Sequence, residues 1–153
     1  MTSNPPTIAI ARLRPEADSD VPLPRYMTPG AAGADLFAAV SETLVIPAMG
    51  RVAVPTGLAM AIPRGWEGQV RPRSGTALRL GLTVVNAPGT IDSDYRGEVM
   101  VLLINLGHEP VTIRRGERIA QLVVAPCAQA RFEAVDALPT SARGDGGFGS
   151  TGD

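Results

Sequence analysis

Cysteine and histidine are almost missing from this chain, and their scarcity removes whole classes of chemistry. A single cysteine, Cys127, excludes an internal disulfide and any metal cluster built from cysteine alone. A single histidine, His108, disfavours a histidine-based triad or zinc site. It lies in LGHEP, between two apolar runs, and reads as a solvated turn residue. Neither sign of charge is in excess. The formal net charge is -1, so no general field draws the chain to nucleic acid or an anionic membrane, and any bound anion must be held by local groups. Long hydrophobic runs are also lacking. None approaches membrane-spanning length, and MTSNPPTIAIARL has no basic region ahead of an apolar core. The expectation is a soluble, cytoplasmic protein with neither nucleic acid nor membrane as partner.

What is present is turn chemistry. The 153 residues favour one domain, and 44% hydrophobic with 19% charged residues is ordinary globular composition. Thr7 to Leu13 reads as a first strand and Glu16 to Arg25 as a loop. Thr43–Ile46, Arg51–Val54 and Leu58–Ile62 read as short strands, separated by turns at Pro47–Gly50, Pro55–Gly57 and Pro63–Gly65. Thr76–Leu80 is the one helical stretch. Leu82–Val85 and Val99–Asn105 read as strands, the second as a buried one. Val111–Ile113, Arg118–Ala125 and a last edge strand at Arg131–Val135 complete the set. Many short strands and almost no helix predict an all-β, jelly-roll-like barrel with one short helix.

Five segments carry groups suited to chemistry. PGAAGADLF, Pro29 to Phe37, has small residues that admit a close backbone approach, with Asp35 beside them. RPRSG, Arg71 to Gly75, offers guanidinium and hydroxyl groups ahead of a short helix, which fits either a phosphate cradle or a surface turn. NAPGTIDSDYRGE, Asn86 to Glu98, reads as a structured loop between two strands. It offers the Asn86 amide, the Asp92 and Asp94 carboxylates, the Tyr95 ring and the Arg96 cation. A nucleobase suits Asn86 and Tyr95, and a water awaiting activation suits Asp92; a polar hairpin connection is the plainer alternative. In GERIAQL, Gln121 is a polar amide on an apolar strand, so it is either partnered in the core or facing a site. Finally, SARGDGGFGSTGD is too polar to bury surface on its own. It reads as a flexible tail, unless Phe148 and Arg143 fold it over a ligand, ring on base and guanidinium on phosphate. The tail has no GK[ST] and no preceding strand, which disfavours a Walker-type kinase.

In order, AGADL, RPRSG, the Asn86–Glu98 loop, GERIAQL and RGDGGFGSTG resemble the trimeric deoxyuridine triphosphate nucleotidohydrolases, the dUTPases. The resemblance runs from about Ala31 to the end. It implies a dUTP diphosphatase that converts dUTP and water to dUMP and pyrophosphate, limiting uracil in DNA and supplying dUMP for dTMP synthesis. It implies Mg²⁺ as cofactor, held mainly by the triphosphate, with no direct protein ligand and Asp35 reaching it through water. It implies a homotrimer with shared active sites, a barrel domain over residues 1–138, and a flexible arm over 139–153 that closes over a neighbouring site.

The roles it implies are specific. Asp92 readies the attacking water. Asn86 with Gly89, Thr90 and Ile91 reads uracil and refuses bulk at C5. Tyr95 lies under the deoxyribose and leaves no room for a 2′-hydroxyl. Arg73, Ser74 and Gly75 bind phosphate from a neighbouring chain, Gln121 contacts the α-phosphate, and Asp35 holds an arginine or an ordered water. Arg143 and Phe148 belong to the arm. Met100 stands where some relatives carry lysine, at a peripheral contact. The rival expectation is a dCTP deaminase-type or non-catalytic nucleotide-binding member of the same fold.

Overall fold

The computed structural model describes residues 5–147. Eleven strands and one helix occur among them: β1 (Ala9–Arg12), β2 (Arg25–Tyr26), β3 (Ala34–Phe37), β4 (Leu44–Ile46), β5 (Arg51–Ala61), β6 (Trp66–Arg71), α1 (Ser74–Leu80), β7 (Leu82–Val84), β8 (Gly89–Ile91), β9 (Glu98–Asn105), β10 (Val111–Ile113) and β11 (Arg118–Pro126). They form a four-stranded sheet, β1-β5-β9-β7, a five-stranded sheet, β2-β3-β11-β6-β8, and a two-stranded sheet, β10-β4. Their pairings are antiparallel. This is the expected all-β, jelly-roll-like architecture. Most inward side chains share one core, with Leu36, Val54, Val101 and Ala120 shut off from solvent, and Val21, Phe37 and Ala39 form a small second cluster. No helix among the described residues is long and apolar enough to cross a membrane.

Strand period is clearest in β9. Val99, Val101, Leu103 and Asn105 are buried, while Met100 and Leu102 alternate with them and face outward. The expectation of a fully buried strand is therefore corrected: an apolar run this continuous also serves a strand whose second face lines a cavity. Asn105 ends the strand with no exposed surface. Its amide donates to Ile46 O at 3.0 Å and Glu109 O at 2.8 Å, and its Oδ1 accepts from Gly107 N at 2.9 Å. The amide therefore stands in for missing ladder partners where three chain segments meet.

Three further expectations are corrected. Pro55–Gly57 is not a turn between two strands, because β5 runs through it for 11 residues. Pairing with β9 jumps from Pro55↔Met100 to Ala59↔Glu98, so Thr56, Gly57 and Leu58 stand opposite Val99 alone. A bulge tolerates the proline that a regular ladder would not, since its missing N–H falls where pairing is already broken. Gly57 takes φ +71 there, and a Cβ on it would collide with the Asp18 carboxylate. The Asn86–Glu98 segment is not loop throughout, because it contains β8. Arg131–Val135 forms no strand; its residues are exposed, with Phe132 94% accessible.

Helix α1 is short, and none of its residues is buried. It stops at Gly81, in the left-handed region at φ +67, whose N–H closes the last turn. A Cβ at that position would run into the Gly107 backbone.

The loop after β1 is pinned by charge. Asp18 is 2% exposed and lies between Arg14 Nε at 2.9 Å and Arg115 Nη2 at 3.1 Å. Its Oδ2 faces Arg14 by ion pairing alone, without an aligned hydrogen bond. Arg115 also forks to Asp20, at 2.9 and 2.7 Å, and donates to Val40 O at 3.0 Å. The Arg115 hydrogen bonds hold the Asp20 carboxyl below its ordinary pKa.

Two stability predictions follow from these contacts. Asn105→Ala leaves buried backbone groups without partners and should lower unfolding free energy in urea by about 3 kcal/mol; a loss below about 0.5 kcal/mol would show that water replaces the amide. Asp20 is stabilising in its charged form, so its contribution is full above its ordinary pKa of 3.8 and disappears as pH falls through the lower folded value. The advantage of the wild type over Asp20→Asn in thermal unfolding should thus be present at neutral pH and vanish in acid. An advantage that grew on acidification would contradict the sign.

Candidate active site

Strand β8 is the outer strand of the five-stranded sheet. It pairs with β6 through Gly68↔Ile91, Gln69↔Thr90 and Val70↔Gly89, and its other edge has no strand partner among the described residues. An unpaired edge presents backbone N–H and C=O groups in a row. Against it lies a cavity of about 210 Å³, lined by Asn86 and Gly89–Asp92 of the hook, by Tyr95 and Glu98, and by Val70, Val99, Met100 and Leu102. This is smaller than the ~300–1,000 Å³ clefts that hold drug-sized ligands, and it suits one ring. The floor is apolar, and polar groups enter from the hook and from Tyr95 and Glu98.

The hook is held by local geometry. The Ala87–Pro88 peptide is cis and immediately precedes β8. Gly89 is buried, and a Cβ on it would press on the Asn86 amide and on Val70, so glycine is what lets Asn86 lie against the strand. Asp92 follows β8 directly. Its carbonyl accepts the Tyr95 N–H at 3.2 Å, while its carboxylate is exposed and has no ion pair or hydrogen bond to protein among the described residues. The Tyr95 hydroxyl donates to Glu98 O at 3.0 Å.

A second cavity, of about 300 Å³, lies just beyond the C-terminal end of β6 and shares no lining residue with the first. Asp35, Arg73, Ser74, Gly75, Arg118 and Gln121 line it. The register explains the grouping. Gln121 on β11 is opposite Asp35 on one side and Arg71 on the other, so the three point to one sheet face. Asp35 is 7% exposed, and its oxygens face Arg73 Nε and Arg118 Nη1, each at 3.2 Å. Arg73 also donates to Arg118 O at 3.3 Å. The Gln121 amide donates to Pro72 O at 2.9 Å, and a Cβ at Gly33 would overlap its Oε1. Gln121 is thus both partnered and facing a site, the two readings its sequence position left open. The chain has no lysine, so every permanently cationic side chain is an arginine, whose forked geometry suits carboxylate and phosphate alike.

The candidate residues therefore fall into two groups. Asn86, Gly89, Thr90, Ile91, Asp92, Tyr95 and Met100 meet at the first cavity, and Asp35, Arg73, Ser74, Gly75 and Gln121 at the second. Arg143 joins neither. It is exposed and donates to Gly146 O at 2.7 Å within its own turn. Phe148 lies outside the described residues. From the sequence Arg118 reads only as the first residue of a strand, and Glu98 only as the end of a loop. Their partners, Asp35 and Arg14, are 83 and 84 positions away, and no local pattern signals such pairs.

No group of three or more His, Cys, Asp or Glu able to hold a metal occurs among the described residues. Both Asp35 oxygens are engaged by arginine, so a cation would reach this carboxylate only through water.

An antiparallel barrel with a ring-sized slot at one sheet edge and an arginine-framed cavity nearby is a frame suited to nucleotides. A dUTPase family model matches residues 19–152, and the chain belongs to the dUTPase family. It is 59% identical, over 98% of its length and 94% of the other protein, to a deoxyuridine 5′-triphosphate nucleotidohydrolase of Methylocella silvestris. Its fold superposes on a Staphylococcus bacteriophage 80alpha dUTPase solved with dUPNHPP, at TM-score 0.86 and 26% identity over 99% of this chain and all of that one. A mutant dUTPase from phage phi11 of S. aureus, whose structure details the coordination of a structural Mg(II) ion, shares the fold at TM-score 0.75 and 22% identity over 86% of this chain and 97% of that one.

Proposed function

We propose that the chain hydrolyses dUTP to dUMP and pyrophosphate, and that the first cavity receives the deoxyuridine. The observation that carries this reading is the Asp92 carboxylate, exposed at the rim of a ring-sized slot and unclaimed by any described protein group. A carboxylate without a protein partner is available to accept a hydrogen bond from water and take its proton. Water so oriented attacks the α-phosphate, and pyrophosphate leaves. The open edge of β8 and the Asn86 amide read the uracil edge. Within this reading the hook around Gly89 closes on the base and refuses a methyl group at C5, which excludes thymine. The Tyr95 ring lies under the sugar and refuses a 2′-hydroxyl. Turnover of this kind limits uracil in DNA and supplies dUMP for dTMP synthesis. A dCTP deaminase-type or non-catalytic role is not favoured, given the family match and the nucleotidohydrolase relative.

Within this reading Arg73, Ser74, Gly75 and Gln121 bind the phosphates, and Asp35 fixes Arg73 for that task. Mg²⁺ is the fitting metal, with phosphate oxygens and waters as its hard ligands and Asp35 reaching it through water. When bound it neutralises charge on the phosphate chain.

The same reading makes the enzyme a cytoplasmic homotrimer, with neither nucleic acid nor membrane as partner, whose phosphate cavity serves the uracil slot of a neighbouring copy. Two separate cavities support it. So do the uncovered apolar side chains beyond β11, with Phe132 94%, Val135 58% and Leu138 83% exposed, which a single copy leaves in water. Residues 139–153 then form an arm that closes over a neighbour's site, with Arg143 on phosphate and Phe148 on the base.

Replacing Asp92 by Asn keeps the shape and removes the base. Turnover of dUTP should fall by roughly 10²–10⁴-fold, while dUPNHPP binding by calorimetry stays close to wild type. A variant that hydrolyses dUTP at the wild-type rate would reassign the base. Deleting residues 143–153 should leave the oligomer unchanged by light scattering and sharply reduce dUTP hydrolysis; an unaltered rate would make the tail a bystander.

A further inference from the structure

The first turn of the N-terminal loop touches the slot from behind. Arg14 forks onto the Glu98 carboxylate, Nη2 to Oε1 at 3.0 Å and Nη1 to Oε2 at 3.4 Å. Its Nε faces the buried Asp18 carboxylate at 2.9 Å. Oε1 of Glu98 also accepts the Gly57 N–H at 2.8 Å, so this carboxylate occupies the bulge in β5 and supplies a partner for its orphaned amide. Thr56 Oγ1 donates to Val99 O at 2.6 Å from the same bulge. Glu98 is therefore held by side chain and by strand, and its main-chain carbonyl has a set direction. That carbonyl receives the Tyr95 hydroxyl. The ring folds back over Gly97, where a Cβ would collide with it, so the hydroxyl has a single seat.

We propose that Arg14 is a positioning residue for Tyr95, acting through Glu98, and that it helps set the preference for a deoxyribose over a ribose. The inference rests on the reading of the first cavity as the deoxyuridine slot. Its logic is mechanical. Tyr95 excludes a 2′-hydroxyl only if the ring cannot retreat by a fraction of an ångström. The ring is exposed on one side, and its hydroxyl is its one polar anchor among the described residues. Without Arg14, Glu98 keeps a single bond to Gly57, and the buried Asp18 loses a cation. Arg14 itself is 42% exposed at its side chain, so its removal opens no hole in the core. Hydrogen bonding to Glu98, with Asp18 adding to it, raises the Arg14 pKa, which keeps the brace charged at any working pH.

The test compares kcat/KM for dUTP and UTP in the full-length wild type, Arg14→Gln, Arg14→Lys, Tyr95→Phe and the Arg14→Gln/Tyr95→Phe double variant. Arg14→Gln should narrow the dUTP:UTP ratio by roughly tenfold, with Arg14→Lys in between because it keeps one ion pair and loses the fork. Tyr95→Phe removes the anchor itself and should narrow the ratio similarly, and the double variant should add little. A lower Tm with an unchanged ratio in Arg14→Gln would overturn the proposal, because it would show a brace that supports the fold and has no part in UTP discrimination. Additive effects in the double variant would overturn it as well. A wild type that does not hydrolyse dUTP would instead bring down the reading of the slot, and this inference with it.

Discussion

The site depends on one constraint: β8 is three residues long and pairs on one side only. Its inner edge belongs to β6, which fixes its height and register in the sheet. Its outer edge is left open over a cavity with an apolar floor. Backbone groups at such an edge are rigid, since the ladder holds them, and unsatisfied, since no strand covers them. That combination recognises a flat polar edge with little rearrangement. Proline and glycine before β8, and Asp92 after it, then fix what else the ring meets. Were β8 longer, or paired on both sides, the same residues would form an ordinary sheet interior.

Strand β6 joins the two halves of the site. It positions β8 through Gly68–Val70 and, one residue further on, leads out of Arg71 into Arg73, which frames the second cavity. The halves share no lining residue within one copy. Under the proposed function this separation has a use, because a triphosphate reaching from the slot can meet the phosphate cavity of a second copy. The two halves also differ in how they are stabilised. The slot relies on packing and close glycine approach, whereas the phosphate cavity relies on Asp35 holding Arg73 and Arg118 apart and aimed outward. A buried carboxylate between two guanidinium groups costs desolvation that only its partners offset. Loss of either partner would disturb the other.

Much of this was legible in the residues, and the exceptions have physical causes. Turn signals and short apolar runs gave an all-β barrel, and the helix before Gly81 was visible in its helix formers and its stop. Gln121 betrayed itself as a lone amide on an apolar strand. The run at Pro55–Gly57 misled, because proline and glycine mark a turn in isolation, yet a bulge filled by Glu98 and Thr56 keeps β5 continuous. Arg131–Val135 has strand composition but no partner edge on its own copy, and composition cannot supply one. The hook within Asn86–Glu98 was recognisable as chemistry but not as a strand, since three residues are too few to show a period. Arg14 with Glu98, and Asp35 with Arg118, were invisible because each pair joins through the fold across more than eighty positions.

The central claim is that an open strand edge and one unclaimed carboxylate select an unsubstituted deoxyuridine nucleotide and cleave it at the α-phosphate. The most direct measurement is pyrophosphate release from dUTP, dTTP, UTP and dCTP, each supplied separately with Mg²⁺, with ammonia followed in parallel. The account predicts rapid release from dUTP, release slower by orders of magnitude from the other three, and no ammonia from dCTP. Comparable rates with dTTP or UTP, or ammonia from dCTP, would contradict it.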